Sequence, residues 1–517
     1  MATWLPFAIA AQGSLHVQLL GEYDRGDERY SGSWVYADPL GTEYALLGTR
    51  FGTAAYALDG PAAPIELGFI PGPTSNWREI TVVGHHAYVV TEGSGDLQGM
   101  QVIDLSFLPD SLHLTAVYDS TFTRGHIIQK DLYAEHPTVF VCGTSSTGGI
   151  HILDVSEPAH PVQIGLYDPD YYIHDIHVRG DTLYAAAFYE GQVDILDISD
   201  PAQPSWIAAL EDPGNNTHSM STTPDGRYLF LADEQDGLPA RIFDLSDLAD
   251  IEEVAQYSAN EESLVHNPYI RGDFAFISHN TEGLRVVDLR DPRVPVEVGY
   301  ADTYDGPSGG FFGLWSACPY LPSGRIVGGD RTRGLLVWNF EETYAGRFYG
   351  KVSDLLTGDA LVNARIVIDP PADTLFSGLD GRFQGGELPG LLSLSISADG
   401  YLPASLTIDL QEKDSLFLPI LLEPELGVAT AEASGAGEEC RVFWSAMGGH
   451  WSLTCPPPLQ PVALEVYSLD GRRIYREEDP GHSIERPALG RWPTGWQLVV
   501  VWGAGAELLY RGLVWFE

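Results

Sequence analysis

The sequence predicts an all-β protein, a seven-bladed β-propeller followed by two small β-sandwich domains. Three observations support this prediction. Two independent sequence markers each recur seven times with a shared spacing. Glycine and proline are frequent, with 56 and 35 copies, as expected for a chain of many short strands and turns. After residue 346 the repeat stops and a different alternating pattern begins.

The first marker is a short apolar run that ends in an acidic or amide residue. One copy, from residue 191, reads GQVDILDIS, and the others follow at intervals of 43 to 51 residues. Most copies are followed by Ser or Asp-Pro turns, so we expect the carboxylate to accept backbone N–H bonds within the turn. The seven copies end at Asp59, Asp104, Asp154, Asp197, Asp244, Asp288 and Asn339.

The second marker opens each repeat, as in HDIHV from residue 174, and recurs at intervals of 44 to 49 residues. Between the two markers there is room for four short strands per repeat. Seven four-stranded units of about 45 residues predict a β-propeller, because radial packing buries the sheet faces that a single unit would expose. The copies lie at Trp34, Arg78, His126, His174, His218, His266 and Trp315.

The two ends of the repeat region complement each other. The seventh copy has no fourth strand after it, whereas residues 15–24 have the fourth-strand pattern with no repeat before them. We therefore predict a propeller over residues 15–341 in which residues 15–24 close the last blade. Residues 1–14 are either a remnant of a signal peptide or ordinary chain.

The composition argues against two classes of partner. The chain has 72 acidic and 28 basic residues, which gives a formal net charge of −44. Such a surface repels phosphate backbones and anionic lipids, so we expect neither nucleic acid nor a membrane surface as a partner. No apolar run reaches the roughly 18–20 residues that a membrane-spanning helix needs.

The C-terminal third is predicted to form two further domains. Residues 346–423 alternate apolar and polar residues between glycine turns, which predicts a β-sandwich. Residues 424–440 are small and polar and are expected to form a linker. Residues 441–517 are strand-like again and predict a second β-sandwich.

The repeat region resembles the choice-of-anchor B family of exported bacterial proteins, whose propellers carry LVIVD repeats. The resemblance covers about residues 15–341 and rests on motifs in order, including HSMSTTPDGRYLFLADEQDG and VHNPYIRGDFAFISHNTEGLRVVDLRDP. One departure is His126-Ile127, where the family tends to have His-Asn. The resemblance implies export and surface attachment, and it implies no particular activity.

The C-terminal domains resemble two further modules. Residues 346–423 are similar to the carboxypeptidase regulatory-like (transthyretin-like) β-sandwich, which serves as a spacer. Residues 441–517 resemble the type IX secretion sorting domain at Val466-Tyr467, Gly471-Arg472 and Trp492-Pro493-Thr494-Gly495. These resemblances imply a secreted protein at the outer cell surface that meets a secretion and anchoring machinery.

The second marker also predicts a functional site. The first strand of each propeller blade borders the central channel, so equivalent positions form a ring at one channel mouth. Four consecutive blades contribute histidine, and neutral imidazole is the commonest protein ligand of divalent transition metals. The pattern predicts a divalent metal ion (Zn, Mn, Fe or Ca). The expected ligands are His126, His174, His218 and His266, with Asp175 and His177 beside them.

Other ring positions are expected to bind a ligand. These are Trp34, Arg78 with its neighbour Glu79, and Trp315, and Arg78 would clamp an anionic group. Two alternatives remain open for the ring: its polar side chains bond channel water or neighbouring blades, or they act as general acids and bases without a metal. The acidic turn at residues 233–237 is a separate Ca²⁺ candidate.

Two functions are compatible with these features. The first is a secreted, surface-anchored binding module that recognises an extracellular protein, glycan or small molecule through the propeller. The second is a metal-dependent extracellular hydrolase or lyase that uses the histidine ring. The modular organisation and the lack of a nucleophile motif favour the binding module, whereas the histidine cluster favours the enzyme.

Overall fold

The structure is a computed structural model that describes residues 13–425, apart from positions 28, 61, 62, 135, 213, 215 and 372, together with seven strands between residues 441 and 516. Every regular element in this described part is a β-strand. Within it, no helix is long and apolar enough to cross a membrane. The chain divides into two compact units, of which the second holds residues 349–383, 392–408 and 417–517.

The first unit contains seven antiparallel sheets, and each sheet is one blade of the propeller. Two short N-terminal strands precede blade 1 in the sequence. The N-terminal strands are β1 (Ser14–Leu15) and β2 (Val17–Tyr23). Blade 1 consists of β3 (Tyr30–Ala37), β4 (Glu43–Thr49), β5 (Gly52–Ala57) and β6 (Ile65–Pro71). Blade 2 consists of β7 (Arg78–Val83), β8 (His86–Thr91), β9 (Met100–Asp104) and β10 (His113–Tyr118). Blade 3 consists of β11 (Ile127–Gln129), β12 (Thr138–Cys142), β13 (Ile150–Asp154) and β14 (Val162–Tyr167).

The remaining four blades repeat this order. Blade 4 consists of β15 (Ile173–Arg179), β16 (Thr182–Ala187), β17 (Gln192–Asp197) and β18 (Ser205–Glu211). Blade 5 consists of β19 (Thr217–Thr222), β20 (Tyr228–Asp233), β21 (Ala240–Asp244) and β22 (Glu252–Tyr257). Blade 6 consists of β23 (Asn267–Arg271), β24 (Phe274–Ser278), β25 (Leu284–Asp288) and β26 (Val296–Ala301). Blade 7 contains β27 (Leu314–Cys318), β28 (Ile326–Asp330) and β29 (Gly334–Phe340).

The first strands of the blades contact one another in a closed circle, from β3 through β7, β11, β15, β19, β23 and β27 back to β3. The predicted seven-bladed propeller is thereby confirmed. The hydrophobic core lies between neighbouring blades. For example, Tyr88 and Val90 of blade 2 pack with Val139 and Val141 of blade 3. Each sheet thus buries both faces against its neighbours.

The N-terminal strands join two different blades. Strand β2 pairs antiparallel with β29, from Val17 opposite Phe340 to Tyr23 opposite Leu335, and supplies the fourth strand of blade 7. Strand β1 pairs with β26 and adds a fifth strand to blade 6. His16 lies between them and bonds through Nδ1 to Val298 O at 2.7 Å. The chain start therefore bridges the outer edges of blades 6 and 7.

The acidic residue that ends each third strand has the expected structural role. In the copies from blade 2 to blade 6, its Oδ1 atom accepts a hydrogen bond from the backbone N–H two residues later, at 2.8 or 2.9 Å. This contact is the predicted turn bond. The acceptors are Asp104, Asp154, Asp197, Asp244 and Asp288.

The strands after the propeller form four more sheets. One pair of sheets has the orders β33-β30-β36 and β32-β31-β34-β35, and a second pair has the orders β37-β38-β41 and β40-β39-β42-β43. The first pair consists of β30 (Gly346–Asp354), β31 (Arg365–Asp369), β32 (Asp373–Phe376), β33 (Arg382–Glu387), β34 (Gly390–Ser397), β35 (Ala404–Leu410) and β36 (Ser415–Leu422). The second pair consists of β37 (Arg441–Ser445), β38 (His450–Thr454), β39 (Pro461–Tyr467), β40 (Arg473–Glu478), β41 (Ser483–Pro487), β42 (Gly495–Gly503) and β43 (Leu508–Phe516).

Several sequence predictions fall outside the described residues. Residues 1–12 of the predicted signal remnant and residues 426–440 of the predicted linker are among them. So are Gly471-Arg472 and residues 492–494 of the sorting-domain pattern. These predictions stay predictions.

Candidate functional site

Five aromatic side chains form a continuous arc across five consecutive blades at the channel mouth. They are buried, and the distances between the centroids of neighbouring rings are 4.3, 4.5, 4.4 and 4.3 Å. This arc brings together the four predicted histidines and one predicted tryptophan. Its members, in order, are His126, His174, His218, His266 and Trp315.

Local backbone irregularities aim three of these side chains. In blades 4, 5 and 7 the regular strand pairing is interrupted at His174, His218 and Trp315. A β-bulge inserts an extra residue into one strand and redirects its side chain. His126 and His266 instead lie directly before their strands, and their N–H groups bond to Cys142 O and Ser278 O.

A carboxylate completes the arc. Glu79 of blade 2 accepts a hydrogen bond from Trp315 Nε1 at 3.2 Å, and its charge also acts on His126 at the other end of the arc. The Glu79 side chain passes directly over Gly32 of blade 1, where a Cβ atom would overlap the Glu79 carboxylate. Burial raises the pKa of Glu79 to about 7. The five rings and Glu79 together form the channel layer.

On one side of the channel layer lies an open cavity of about 450 Å³, which we call the mouth. Six aromatic side chains line it, together with two acids, two histidines of the arc and one arginine. The aromatic residues are Trp77, Tyr172, Phe188, Tyr189, Phe311 and Trp315. The other lining residues are Glu92, His126, His174, Glu234 and Arg331.

Sequence reasoning missed Glu92, Phe188 and Arg331 as site residues, and it assigned Glu234 to a separate Ca²⁺ candidate rather than to the histidines. Each of these site residues directly follows the second strand of its blade, where the chain turns back at the mouth. A signal for them exists, because the position after the second strand recurs with the same period as the two markers. Its members are Arg50, Glu92, Gly143, Phe188, Glu234, His279 and Arg331.

Glu234 stands opposite three of the four histidines. Its carboxylate oxygens lie 3.9 Å from His174 Nε2, 3.7 Å from His218 Nε2 and 3.9 Å from His266 Nε2. Ligand atoms of His174, His218 and Glu234 all lie within 4.8 Å of one another, so this group could hold a metal ion.

The protonation of these histidines suits a metal. Burial, followed by repulsion from the other histidines, holds the pKa of His174 well below its usual value. Burial also lowers the pKa of His218 and of His266 to about 3. His266 Nδ1 lies 3.3 Å from Trp315 O, to which it can only donate, so Nε2 carries the lone pair. Within the described residues, that buried Nε2 has no hydrogen-bond partner.

His126 differs from the other three histidines. Its Nδ1 lies 2.8 Å from Glu92 Oε1. Burial by itself would lower the pKa of His126, but the bond to Glu92 and the charges of Glu79 and Glu234 raise it overall. The mouth therefore combines neutral imidazoles with a hydrogen-bonded His126–Glu92 pair.

Arg78 does not line the mouth. Its side chain is fully buried, and it donates from Nε to Thr49 O at 3.2 Å and from Nη2 to Pro73 O at 2.7 Å. This placement corrects the expectation that Arg78 clamps an anionic ligand. The arginine at the mouth is Arg331, which is 5% exposed and stacks over the Trp315 ring at 4.5 Å.

Trp34, Asp175 and His177 lie on the other side of the channel layer, where with Glu79 they line an inner cavity of about 40 Å³. Asp175 accepts the N–H of Ile176 at 2.7 Å, and burial raises its pKa to about 6. His177 Nε2 bonds to the Thr222 hydroxyl at 2.9 Å. The structure therefore does not bring Asp175 and His177 to the group around Glu234, because adjacent strand residues point to opposite sides.

The carboxylates of the acidic turn at residues 233–237 diverge. Asp233 accepts a hydrogen bond from Arg241 at 2.7 Å, and Asp236 accepts the N–H of Gly310 at 2.9 Å. Glu234 alone faces the mouth. The turn thus does not gather three carboxylates around one Ca²⁺ ion.

Comparison with known proteins agrees with the repeat pattern. The LVIVD repeat model matches residues 144–169, 172–210 and 267–303, which fall in blades 3, 4 and 6. No curated protein matches this chain.

Two solved structures are similar to the chain. One, from Bacteroides fragilis, is described as a candidate 6-phosphogluconolactonase; it is 14% identical, with a TM-score of 0.42 over 60% of this chain and 90% of that one. The other is a functionally unknown protein from Desulfotomaculum acetoxidans, 13% identical, with a TM-score of 0.42 over 54% of this chain and 87% of that one. The fold assignment rests on the sheet topology described above. The chain contains LVIVD repeats, which occur in β-propeller-like proteins.

Proposed function

We propose that this protein is a binding module whose channel mouth holds a divalent transition-metal ion and, on it, a small ligand. The proposed ligands of the ion are His174, His218, His266 and Glu234. One observation carries the proposal: the Nε2 atoms of three neutral imidazoles surround one carboxylate at 3.7 to 3.9 Å, and that of His266 carries a lone pair. A buried lone pair opposite a carboxylate requires something electropositive between them.

The spacing fits a metal after small side-chain movements. In a four-coordinate site with bonds of about 2.0–2.2 Å, neighbouring ligand atoms lie about 3.4 Å apart. The distances from the three histidines to Glu234, 3.7 to 3.9 Å, are a few tenths longer. The ligand atoms of His174, His218 and Glu234 lie within 4.8 Å of one another, so the imidazoles must also approach each other, and His266, which is outside this group, must move further. Three imidazoles and one carboxylate favour Zn, Fe or Mn over Ca, which prefers oxygen ligands.

The walls of the mouth support binding of a small molecule or the end of a glycan. A cavity of about 450 Å³ has the size of a small-molecule site. Trp77, Tyr172 and Phe188 offer flat apolar surfaces, on which a planar group or a sugar ring packs well. A protein partner would have to insert a side chain or a terminus into the mouth.

Metal content tests the proposal. The purified full chain is expected to contain about one equivalent of Zn, Fe or Mn by inductively coupled plasma mass spectrometry, and His174→Ala/His218→Ala to contain none. A matched control, His113→Ala/His160→Ala, removes two exposed histidines and should keep the metal. The proposal fails if the wild-type protein, after reconstitution with these metals, does not bind about one metal ion per chain. It also fails if the double variant binds as much metal as wild type does.

A second candidate function is metal-assisted hydrolysis or elimination. One observation favours it, the His126–Glu92 pair at 2.8 Å, since a protonated His126 beside a metal could act as a general acid. The Zn-loaded protein would then hydrolyse p-nitrophenyl acetate faster than Zn-loaded His126→Gln by about 100-fold or more. Equal rates at equal metal content would leave only the binding function.

We also propose that the protein is exported to the outer cell surface, where it meets an anchoring machinery. The resemblance of residues 441–517 to a secretion sorting domain supports this. Protease treatment of intact cells that make the full chain is expected to remove the protein, whereas a cytoplasmic marker survives. A fully protected chain would argue against export.

A further inference from the structure

The most unusual charged group outside the proposed metal ligands is the guanidinium of Arg331. The side chain lines the mouth and is only 5% exposed. In the described part of the chain, its Nε and Nη1 atoms are buried and have no hydrogen-bond partner. A buried donor without a partner costs about 1–3 kcal/mol, and more when it is charged. Such a group needs an acceptor that the described chain does not supply.

Other buried or nearly buried arginines of the propeller have their acceptors. Each of four lies within 2.7 to 3.1 Å of a carboxylate: Asp233, Asp302, Glu43 and Asp288 are the respective partners. The arginines are Arg241, Arg285, Arg325 and Arg347. In the described part of the chain, Arg78 and Arg179 each leave one buried Nη1 atom without a partner, whereas Arg331 leaves two buried atoms. Of these three, Arg331 lines the mouth, where a ligand is the natural acceptor.

The nearest acid in sequence does not fill this role. Asp330 uses its Oδ1 atom to accept the N–H groups of Thr332 and Arg333, both at 3.0 Å. Burial and the charge of Arg29 lower the pKa of Arg331 to about 10, although Asp330 and Glu234 act in the opposite direction. The lowered pKa indicates a positive charge that the surrounding residues compensate incompletely.

The charge of the mouth also favours an anion once a metal is bound. Glu92 is hydrogen-bonded to His126, which balances its charge when protonated, and the carboxylate of Glu234 offsets only one of the two charges of a divalent ion. The ion and Arg331 together leave a local positive excess in a protein with a net charge of −44. A small anion is therefore attracted to this mouth specifically.

We infer that Arg331 binds a carboxylate group on the small ligand of the mouth, and that Arg331 determines the specificity of this site. The inference rests on the proposed function and deepens it. The guanidinium donates N–H bonds to the carboxylate, while its stack on Trp315, which lies 4.3 Å from His266, holds it in place. The aromatic wall then receives the uncharged body of the ligand.

A monoanionic carboxylate fits this mouth better than a phosphate. A phosphate monoester carries nearly two negative charges at neutral pH, and a dianion costs more to remove from water than a carboxylate when it enters a mouth lined by six aromatic side chains. Benzoate combines one carboxylate with a planar apolar ring, and it is therefore a suitable probe. Benzamide has the same shape without the charge, and phenyl phosphate has the higher charge.

The experiment measures binding of these three probes by tryptophan fluorescence and calorimetry, with Zn-loaded and metal-stripped protein. We expect Zn-loaded wild type to bind benzoate more tightly than benzamide and phenyl phosphate, by about tenfold or more. Arg331→Met should weaken benzoate binding by a similar factor and leave benzamide binding unchanged. Arg227→Met, which removes an exposed arginine from the first hairpin of blade 5, should bind benzoate like wild type.

Each contrary outcome has a definite meaning. Equal binding of benzoate and benzamide by wild type overturns the inference, as does Arg331→Met with wild-type benzoate affinity. Tighter binding of phenyl phosphate replaces carboxylate by phosphate as the ligand class. Stoichiometric metal without benzoate binding refutes the inference and leaves the metal site standing. Arg331-dependent benzoate binding by a protein that binds no metal supports the inference and refutes the metal site. If Arg331→Met does not fold, the wild-type comparison of the three probes decides.

Discussion

Trp315 Nε1 donates a hydrogen bond to Glu79 Oε1 across 3.2 Å. Trp315 belongs to blade 7 and Glu79 to blade 2, so this bond spans blade 1 at the channel centre. The path is open because residue 32 is a glycine, and a Cβ atom there would overlap the Glu79 carboxylate. One carboxylate thereby closes an arc of five rings into a complete layer.

Gly32→Ala should open the channel layer. The added methyl group displaces the Glu79 side chain and breaks its bond to Trp315, and we expect a loss of about 1–3 kcal/mol in the free energy of unfolding, as for other overpacked sites. Urea unfolding, followed by tryptophan fluorescence, measures it. Gly378→Ala serves as the control, since a Cβ atom there meets no atom nearer than 3.6 Å. Equal stability of the two variants would contradict the steric argument.

Glu79 should make stability depend on pH. Burial raises its pKa to about 7, so the folded state keeps a proton that the unfolded state releases above its ordinary pKa. Stability from this group is therefore highest at low pH and falls by about 1–3 kcal/mol as pH rises to about 7. Glu79→Gln still accepts the Trp315 bond but does not titrate, so its stability should fall less over this range.

The test of this prediction is urea unfolding of wild type and Glu79→Gln at pH 5, 6, 7 and 8. Asp175, whose pKa burial raises to about 6, titrates in both proteins, and its charge helps to raise the pKa of Glu79. The difference between wild type and variant therefore reports Glu79 together with its interaction with Asp175. If that difference does not change with pH, Glu79 titrates normally and the prediction is wrong.

Removal of residues 1–24 should lower the melting temperature. The deletion takes away β2 and leaves β29 as an exposed edge strand of blade 7. We expect a fall of about 10 °C or more, and a greater tendency to aggregate. Deletion of residues 1–12 alone retains both N-terminal strands and is the control. A melting temperature equal to that of the control would refute the closure of the ring by β2.

Arg347→Met should destabilise the first unit. Arg347 Nη2 lies 3.1 Å from Asp288 Oδ1, and both side chains are buried. Loss of one partner of a buried ion pair costs about 3–5 kcal/mol. Thermal and urea unfolding measure the change, and Arg382→Met, at a side chain that is 78% exposed, should change little.

The same ion pair predicts sensitivity to acid. Burial would raise the pKa of Asp288, but Arg347 and Arg290 hold it below its usual value. The stability from a lowered carboxylate pKa is present above the unfolded value of about 3.9 and is lost as pH falls below it. Wild type should therefore lose more stability than Arg347→Met between pH 5 and pH 3. Parallel losses would show that Arg347 does not set this pKa.

The repeat pattern predicted the fold because each blade carries two markers. It also placed five of the seven ring residues correctly, from His126 to Trp315. In blade 1 the strand irregularity lies between Tyr30 and Ser33, so Gly32 rather than Trp34 occupies the ring position. In blade 2, Glu79 rather than Arg78 belongs to the channel layer. A shift of one residue along a strand turns the side chain to the opposite face, and sequence spacing of 44 to 49 residues does not resolve such a shift.

The acids and the arginine of the mouth were harder to predict. Glu234 and Arg331 come from the ends of second strands, and they face the mouth only because those strands end beside the first strands of the blades. Their shared position is visible in the sequence once strand ends are known. Arg78 was predicted to bind an anionic ligand, but its guanidinium already donates to backbone carbonyl groups. The sequence does not show which arginine is bonded in this way, so it could not indicate Arg331 in place of Arg78.

The pairing of Val17 with Phe340 joins residues more than three hundred positions apart. A ribosome makes β2 before the strands of all seven blades, yet its partner β29 emerges only with the last repeat. Until then blade 7 lacks its outer strand, and the early segment has no place to dock. Loop closure over such a distance is slow. The last step in assembly of this propeller therefore awaits the synthesis of β29, and chains cut short before residue 334 cannot complete the circle.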